Sequence, residues 1–429
     1  MKRKVFLKTV LPLAAIPVAL TSCKFKKGGF LDAVFGSNVH DNRILVLVQL
    51  QGGNDGLSTI IPLDQYTNLS AARKNILIPE NKVLPLNGTS VTGFHPAMAD
   101  LQNMYNRKEL TFIQGVSYPN PNLSHFRATD IWLTGSDTNT VLNSGWLGRY
   151  LDKKYPGYPG GYPNAQTPEP PAIQIGNMLS GALQGKAMGL GISVINTMSF
   201  YDMVLGKQAV AQSTRAGREL DFMRMAANQT QQYTSVIKAA ALAQKNLSER
   251  YPSNGKNAIA DQLKIVAQLI GGGLKTKIYM VTLDGFDTHG NQANPSNTIK
   301  GRHAELLGQL STAIAAFEDD LKLMGKHDNV LGMTFSEFGR RIHSNASNGT
   351  DHGTSGPVIL FGSKLKGGFV GSNPQIEAKV KPEDNLSMQH DFRSVYASVL
   401  KGWFGLTDEE LKNTLLSTCP VLDLFTSKS

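Results

Sequence analysis

Cysteine is scarce: Cys23 and Cys419 are the only two in 429 residues, which excludes a disulfide framework and a cysteine-ligated zinc module. No apolar run reaches the roughly 18 residues that a membrane-spanning helix needs. There is no internal repeat. With 41% hydrophobic and 18% charged residues, the composition excludes a wholly disordered chain. A basic block of the kind that grips nucleic acid is missing too. The net charge is +10, but Lys2, Arg3, Lys4 and Lys8 supply four of those charges, and the remaining +6 is spread thinly. Beyond the short Lys24, Lys26, Lys27 group nothing basic is clustered, so no nucleic-acid partner is expected.

What is present begins with an address. Lys2-Arg3-Lys4 precedes an apolar run at 10–20, interrupted by Pro12 and Pro17, which has the build of a secretory signal. It closes on Leu20-Thr21-Ser22-Cys23, which resembles the bacterial lipobox, whose cysteine is acylated and becomes the new N-terminus. Residues 1–22 are therefore expected to be a signal peptide. Cys23 would carry lipid, and residues 23–41 would tether an exported protein to a membrane surface on the periplasmic or outer-membrane side. Arg3-Lys4-Val5-Phe6-Leu7-Lys8 also resembles the twin-arginine export motif, with Lys4 in place of its second arginine. With Cys23 acylated, Cys419 has no partner and is expected to be a buried structural thiol.

From residue 42 onward the chain alternates between two patterns. Short apolar runs at 43–50, 110–116, 172–175, 277–283, 330–335 and 358–361 read as strands buried on both faces. Helix-period segments lie between them at 96–107, about 213–250, 258–270, 299–324 and 392–403. In the fourth, Leu306, Leu307, Leu310, Ile314, Phe317 and Leu321 recur at three- and four-residue spacing, which makes one amphipathic face. This alternation predicts a single α/β domain over 42–429, with a mostly parallel central sheet and helices on both faces. A helical insertion is expected at about 207–271. Residues 155–171 are too rich in proline and glycine for either element and read as a long surface loop.

Ligands of an open parallel sheet bind outside the carboxyl ends of its strands, and here those ends carry the polar chemistry. Asn54 and Asp55 follow Gly52-Gly53 after the first run. Asp284, Asp287 and His289 follow the fourth, and Ser336, Glu337, Arg340 and Arg341 the fifth. Asp351 and His352 immediately precede the sixth, and Ser124-His125 stand shortly after the second. Any single one of these would read as a turn or helix cap. Their accumulation at strand ends, in a chain with nine histidines, points instead to a site. Imidazole with carboxylate is the ligand set of zinc, manganese or iron, whereas oxygen ligands alone suit magnesium or calcium. The other histidines read as structural or surface groups, with supporting roles open for His303 and His390.

The segments LVQLQGGNDGLS, SHFRATDIW, LDGFDTHG, FSEFGRR and DHGTSG together resemble the bacterial Domain of Unknown Function 1501 family over residues 42–403. That family is similar to the alkaline phosphatase and sulfatase superfamily. The resemblance implies a sheet with metal ions at its strand ends and hydrolysis of phosphate or sulfate esters. It implies Asp55, Asp287, His289, Glu337 and His352 as metal ligands, with Asp284 an alternative to its neighbours. It implies Ser124 as nucleophile and His125 as proton donor or ligand. The cofactor is then a divalent metal, zinc first, with manganese, magnesium or calcium as alternatives. The chain departs from the superfamily where Ser336-Glu337 replaces an Asp-His pair, and it lacks the Cys-x-Pro-x-Arg element from which sulfatases form formylglycine. Arg340 is suited to holding an ester oxygen in the reaction, and Arg341 and Asn54 to binding the substrate, a small-molecule or glycan ester. From a different class comes the alternative of a catalytically inactive, lipid-anchored binding or assembly protein that retains the fold.

Overall fold

The computed structural model describes residues 42–186, 188–195 and 232–426. The expected signal peptide, Cys23 with its tether, and most of the segment at 207–250 lie outside the described residues.

The first strand shows why a sheet forms where it does. β1 (Ile44–Gln51) reads ILVLVQLQ, and Leu45, Val46, Leu47 and Val48 are each at most 1% exposed. Successive side chains of a strand point to opposite faces, so a strand buried at every position from Ile44 to Leu50 is covered on both sides. Next come β2 (Ile60–Pro62), β3 (Leu84–Leu86), β4 (Thr89–Phe94), β5 (Leu110–Ser117), β6 (Ala172–Ile175) and β7 (Ile192–Val194). They are followed by β8 (Ile278–Asp284), β9 (Val330–Phe335), β10 (Arg340–Ser344), β11 (Thr350–His352), β12 (Gly356–Phe361), β13 (Gly368–Val370) and β14 (His390–Asp391).

The central sheet has the order β13-β5-β12-β9-β1-β8-β6-β7, with β14 also paired to β5. β1 runs parallel to β8 and β9, and β6 parallel to β7 and β8. β12 is antiparallel to both β5 and β9. The sheet is thus mostly parallel, and the one reversed strand has a consequence for the site. The amino end of β12 lies at the same edge as the carboxyl ends of β1, β5, β8 and β9, so a residue preceding β12 joins residues following the other four. β10 and β11 form a separate hairpin that pairs Arg340 with His352, and β2, β3 and β4 make a small third sheet.

Helices α1 (His125–Thr134), α2 (Ala258–Gly271), α3 (Arg302–Leu323) and α4 (Phe392–Ser398) complete the frame that matters for the site. α3 buries Leu306, Leu307, Leu310, Ile314, Phe317 and Leu321 as its spacing predicts. The Asn257 side chain caps α2 by accepting from the Ala260 N–H. The helical segment expected to run to residue 250 is helical at 232–243 and then stops. Asp320 of α3 accepts from the N–H groups of Leu247 and Ser248, and these side-chain bonds replace a further helical turn. The 155–171 segment has neither helix nor strand, but it is not purely a surface loop. Tyr155 and Tyr158 are each 8% exposed and belong to the main core, because their rings bury more apolar area than the flanking prolines and glycines can offer. Cys419 is a partly buried free thiol. No helix among the described residues is long and apolar enough to cross a membrane.

Candidate functional site

The loop after β1 is built to let other chains come close. Gly52 and Gly53 have φ of +121° and +86°. A Cβ at Gly52 would stand 2.3 Å from the Asp287 backbone nitrogen, and one at Gly53 would stand 2.4 Å from the Phe338 ring. Glycine is therefore required at both positions, and the loops following β1, β8 and β9 press together. In the loop after β8, Phe286 and Thr288 are buried while the intervening Asp287 and His289 are exposed. The buried pair anchors the loop, and the exposed pair is presented outward.

At this edge, ligand atoms of His125, Asp287 and His352 all lie within 4.8 Å of one another. His125 Nε2 is 3.5 Å from Asp287 Oδ2, and His352 Nε2 is 3.3 Å from Asp287 Oδ1. His289 joins at the rim, its Nε2 3.3 Å from Asp287 Oδ1 and 2.9 Å from His352 Nε2. The outer nitrogens decide the chemistry. His125 Nδ1 lies 2.9 Å from Glu337 Oε1, His289 Nδ1 lies 3.0 Å from Asp351 Oδ1, and His352 Nδ1 lies 2.8 Å from the Leu123 carbonyl oxygen. Each Nδ1 faces an acceptor and so carries the proton, which turns an Nε2 lone pair inward. Two such nitrogens only 2.9 Å apart require a proton or a cation between them.

This arrangement fits a divalent ion by its donors and by its dimensions. Imidazoles whose far nitrogen is held by a carboxylate or carbonyl are the usual metal-ligating form. Ligand atoms around a tetrahedral zinc at 2.0–2.1 Å are about 3.3 Å apart, close to the 3.5 and 3.3 Å that separate Asp287 from His125 and His352, while the three together span up to 4.8 Å. Partial burial works against the charge of Asp287, but the hydrogen bond and charge of Arg340 hold its carboxyl below the usual range. Burial, partly offset by the bond to Leu123, sets His352 below an ordinary imidazole. The Phe338 ring lies under the imidazoles, with centroids 4.9 Å from His125 and 4.5 Å from His352.

Several expected residues are placed differently. Asp55 is not part of the cluster. It is wholly buried, and Arg73 Nη1 reaches its two oxygens at 3.0 and 2.8 Å while Gln292 Nε2 donates to one of them. Burial opposes its ionisation, yet Arg73 and neighbouring donors hold its carboxyl down at about 2. Coordination of a cation would require the Arg73 pair to break. Glu337 is buried and accepts from the Gly52 N–H at 2.8 Å as well as from His125, so it holds the β1 loop and the His125 ring. Asp284 ends β8 in an exposed position.

Arg340 was expected to meet an ester oxygen. Its guanidinium is instead buried, donating to the carbonyls of Gly52, Gly53, Phe286 and Thr350 and to Asp287 Oδ1. Arg341 donates to the carbonyls of His352 and Pro382. Asn54 is buried, with its Oδ1 accepting from Thr59 and His303. These three tie loops together through the bonds just described. Ser124 is exposed at the N-terminus of α1 and its hydroxyl makes no capping bond. It lies one residue after Leu123, which holds His352. Asp351 was not singled out as a site residue, although its place beside His352 was a signal. Arg73, Gln292 and Phe338 carried no such signal.

A family profile described as "Protein of unknown function (DUF1501)" matches residues 117–415. No curated protein matches the chain. Among solved structures, it is similar to the C-terminal periplasmic domain of EcEptC from Escherichia coli in complex with Zn. The two are 11% identical over 75% of this chain and 73% of that one, with a TM-score of 0.35. It is similar also to the PsFucS1 sulfatase from Pseudoalteromonas sp., at 12% identity over 92% and 72% of the two chains and a TM-score of 0.37. A protein in the alkaline phosphatase superfamily from Vibrio parahaemolyticus matches at 8% identity over 86% and 71%, with a TM-score of 0.37.

Proposed function

The chain belongs to DUF1501, a family of proteins of unknown function, and we propose that it is an exported, metal-dependent hydrolase of phosphate or sulfate esters. The observation that supports this most is the convergence of three imidazole Nε2 atoms on Asp287, each ring held by an acceptor at its far nitrogen. His125, Asp287 and His352 would hold the cation, with His289 at the rim. The mixed imidazole and carboxylate set favours zinc, then manganese, over magnesium or calcium. When bound, the ion supplies positive charge for ester oxygens that gain charge in the transition state.

The chain's own groups account for the rest. Ser124 is the candidate nucleophile. Its hydroxyl is exposed and free of capping bonds, and the N-terminus of the ten-residue α1 favours an anion beside it. His125, fixed by Glu337, is placed to accept or return a proton at Nε2 when it is not acting as a ligand. Asp351 orients His289 through Nδ1. Cys23 would anchor the mature chain to a membrane by its lipid.

One observation favours a second reading, a lipid-anchored binding or assembly protein without turnover: Arg340 and Arg341 both spend their donors on carbonyls and Asp287. The two readings separate in one experiment. Purified protein supplied with zinc, manganese or calcium is assayed for bound metal and for cleavage of aryl phosphates and sulfates. The hydrolase reading expects both, and expects His352→Ala to lose both. Stoichiometric metal without cleavage of any ester would favour the second reading, and a protein that takes up no metal would sink the proposal.

A further inference from the structure

Gln292 is buried and has no part in the chemistry described so far, yet its amide joins two segments that carry the cluster. Its Oε1 accepts from the Thr350 hydroxyl at 2.6 Å and from the Thr288 hydroxyl at 3.1 Å. Thr288 stands between Asp287 and His289, and Thr350 opens β11, directly before Asp351 and His352. Both threonines are buried, while those four neighbours are exposed or half-buried. The Thr350 N–H also donates to the Thr288 carbonyl at 3.2 Å, so the two segments lie side by side. Across them, His289 meets Asp351 at 3.0 Å and His352 at 2.9 Å. Moving either threonine therefore moves a cluster residue next to it in the chain.

The amide can sit only one way round. A buried amide has to satisfy both of its ends. Its Nε2 donates to Asp55 Oδ2 at 2.5 Å and lies 3.4 Å from Ser58 Oγ. Asp55 is paired with Arg73, and an ionised carboxylate only accepts. The amide nitrogen must face it, which turns the amide oxygen and its two lone pairs toward the two hydroxyls. Arg73 in turn donates to the carbonyls of Arg341 and Ile342 in β10, the strand that pairs with β11.

We propose that Gln292 is a positioning residue for the metal ligands: one amide oxygen, aimed by Asp55, sets the spacing between Asp287 and His289 on one segment and His352 on the other. The inference rests on the metal-dependent reading of the cluster. It gives the buried Asp55–Arg73 pair a role at the site, exerted through Gln292 and without contact with the cation. A brace that serves the fold alone contributes stability. A group that supports metal ligands also sets the affinity and the coordination geometry.

The test compares wild type with Gln292→Met, which keeps the length of the side chain but neither hydrogen-bonding end, and with Thr350→Val, which removes one hydroxyl. Zinc affinity is measured by chelator competition, and coordination geometry by the visible spectrum of cobalt(II)-loaded protein. Gln292→Met should weaken zinc about tenfold and Thr350→Val somewhat less, and both should shift the cobalt bands. The double variant should bind zinc no more weakly than Gln292→Met, because both changes break the same bond. Thr298→Val removes an equally short hydroxyl bond, to the Leu77 carbonyl at 2.6 Å, between segments that carry no ligand, and should leave affinity and spectrum unchanged. Wild-type zinc affinity and cobalt spectrum in Gln292→Met, even with lower stability, would overturn the positioning role and leave the metal site standing. If that variant does not fold, the same result in Thr350→Val decides the matter. Losses that add in the double variant would also overturn it. Wild type that takes up neither ion would overturn the metal reading and this inference with it. Wild type that binds zinc, responds to Gln292→Met as expected and cleaves no ester would sustain the inference and overturn the hydrolase reading.

Discussion

Glu337 tests how the cluster is held. It is 1% exposed, and its Oε1 accepts from the Gly52 N–H at 2.8 Å and from His125 Nδ1 at 2.9 Å. Glu337→Ala removes both acceptors at once, and the two losses have separate readouts. The Gly52 N–H is left buried without a partner, which costs about 1–3 kcal/mol of stability. His125 loses the group that fixes its tautomer and ring orientation, and losses of that kind weaken metal binding about 10–100-fold, or about 1.4–2.7 kcal/mol. Glu337→Gln keeps the shape and one oxygen but not the charge, so it should fall between wild type and alanine on both scales. Zinc affinity is measured by competition with a chromophoric chelator, and stability by urea denaturation of the same preparations. The expected result is that the two quantities fall together in Glu337→Ala. If stability falls while zinc affinity stays at the wild-type value, Glu337 serves only the β1 loop and His125 does not ligate the metal.

Asp55→Asn should cost about 3–5 kcal/mol in urea denaturation, because it leaves Arg73 buried without its anion. The folded variant should keep the wild-type zinc stoichiometry, and loss of zinc from folded protein would return Asp55 to the ligand set. Acid should destabilise the fold early. Burial, above all else, holds His303 down to about 4 and His95 to about 3, against ordinary values of 6.5. The unfolded chain therefore takes up protons first, so stability is full above pH 6.5 and falls as pH drops toward 4. His303 alone contributes about 3 kcal/mol to that loss, and a melting temperature unchanged between about pH 7 and about pH 5 would contradict the assignment. Cys23→Ser should move the protein from the membrane fraction to the soluble periplasmic fraction of fractionated cells, and retention in the membrane would rule out the lipid anchor.

Much of the scaffold was legible because a strand buried on both faces is simply a short apolar run. Those at 172–175 and 330–335 coincide with β6 and β9, and the others differ by one or two residues at their ends. The clustering of polar groups at strand ends was legible for the same reason, since the sheet edge follows from where the runs stop. Which of those groups meet was not. Asp55 and Arg340 looked like site residues because a charge after a strand is a common sign of one. Their actual partners come from other elements of the fold: Arg73, at the end of the helix Tyr66–Arg73, and Gln292 for the first, and the carbonyls of Phe286 and of Thr350 in β11 for the second. Nothing local in the sequence reports that a charge has been neutralised inside the protein. His125, Asp287, His289 and His352 were legible because imidazoles are few and each sits beside glycine, serine or an acid in a turn. The orientation of their rings depends on Glu337, Asp351 and the Leu123 carbonyl, which only the folded chain brings near.

The convergence of the imidazoles is tested most directly by X-ray absorption at the zinc edge of the loaded protein. The account predicts about four nitrogen or oxygen neighbours at roughly 2.0–2.1 Å, with the multiple-scattering signature of two or more histidine rings that weakens in His352→Ala. A spectrum showing oxygen neighbours alone, or one that His352→Ala leaves unchanged, would contradict it.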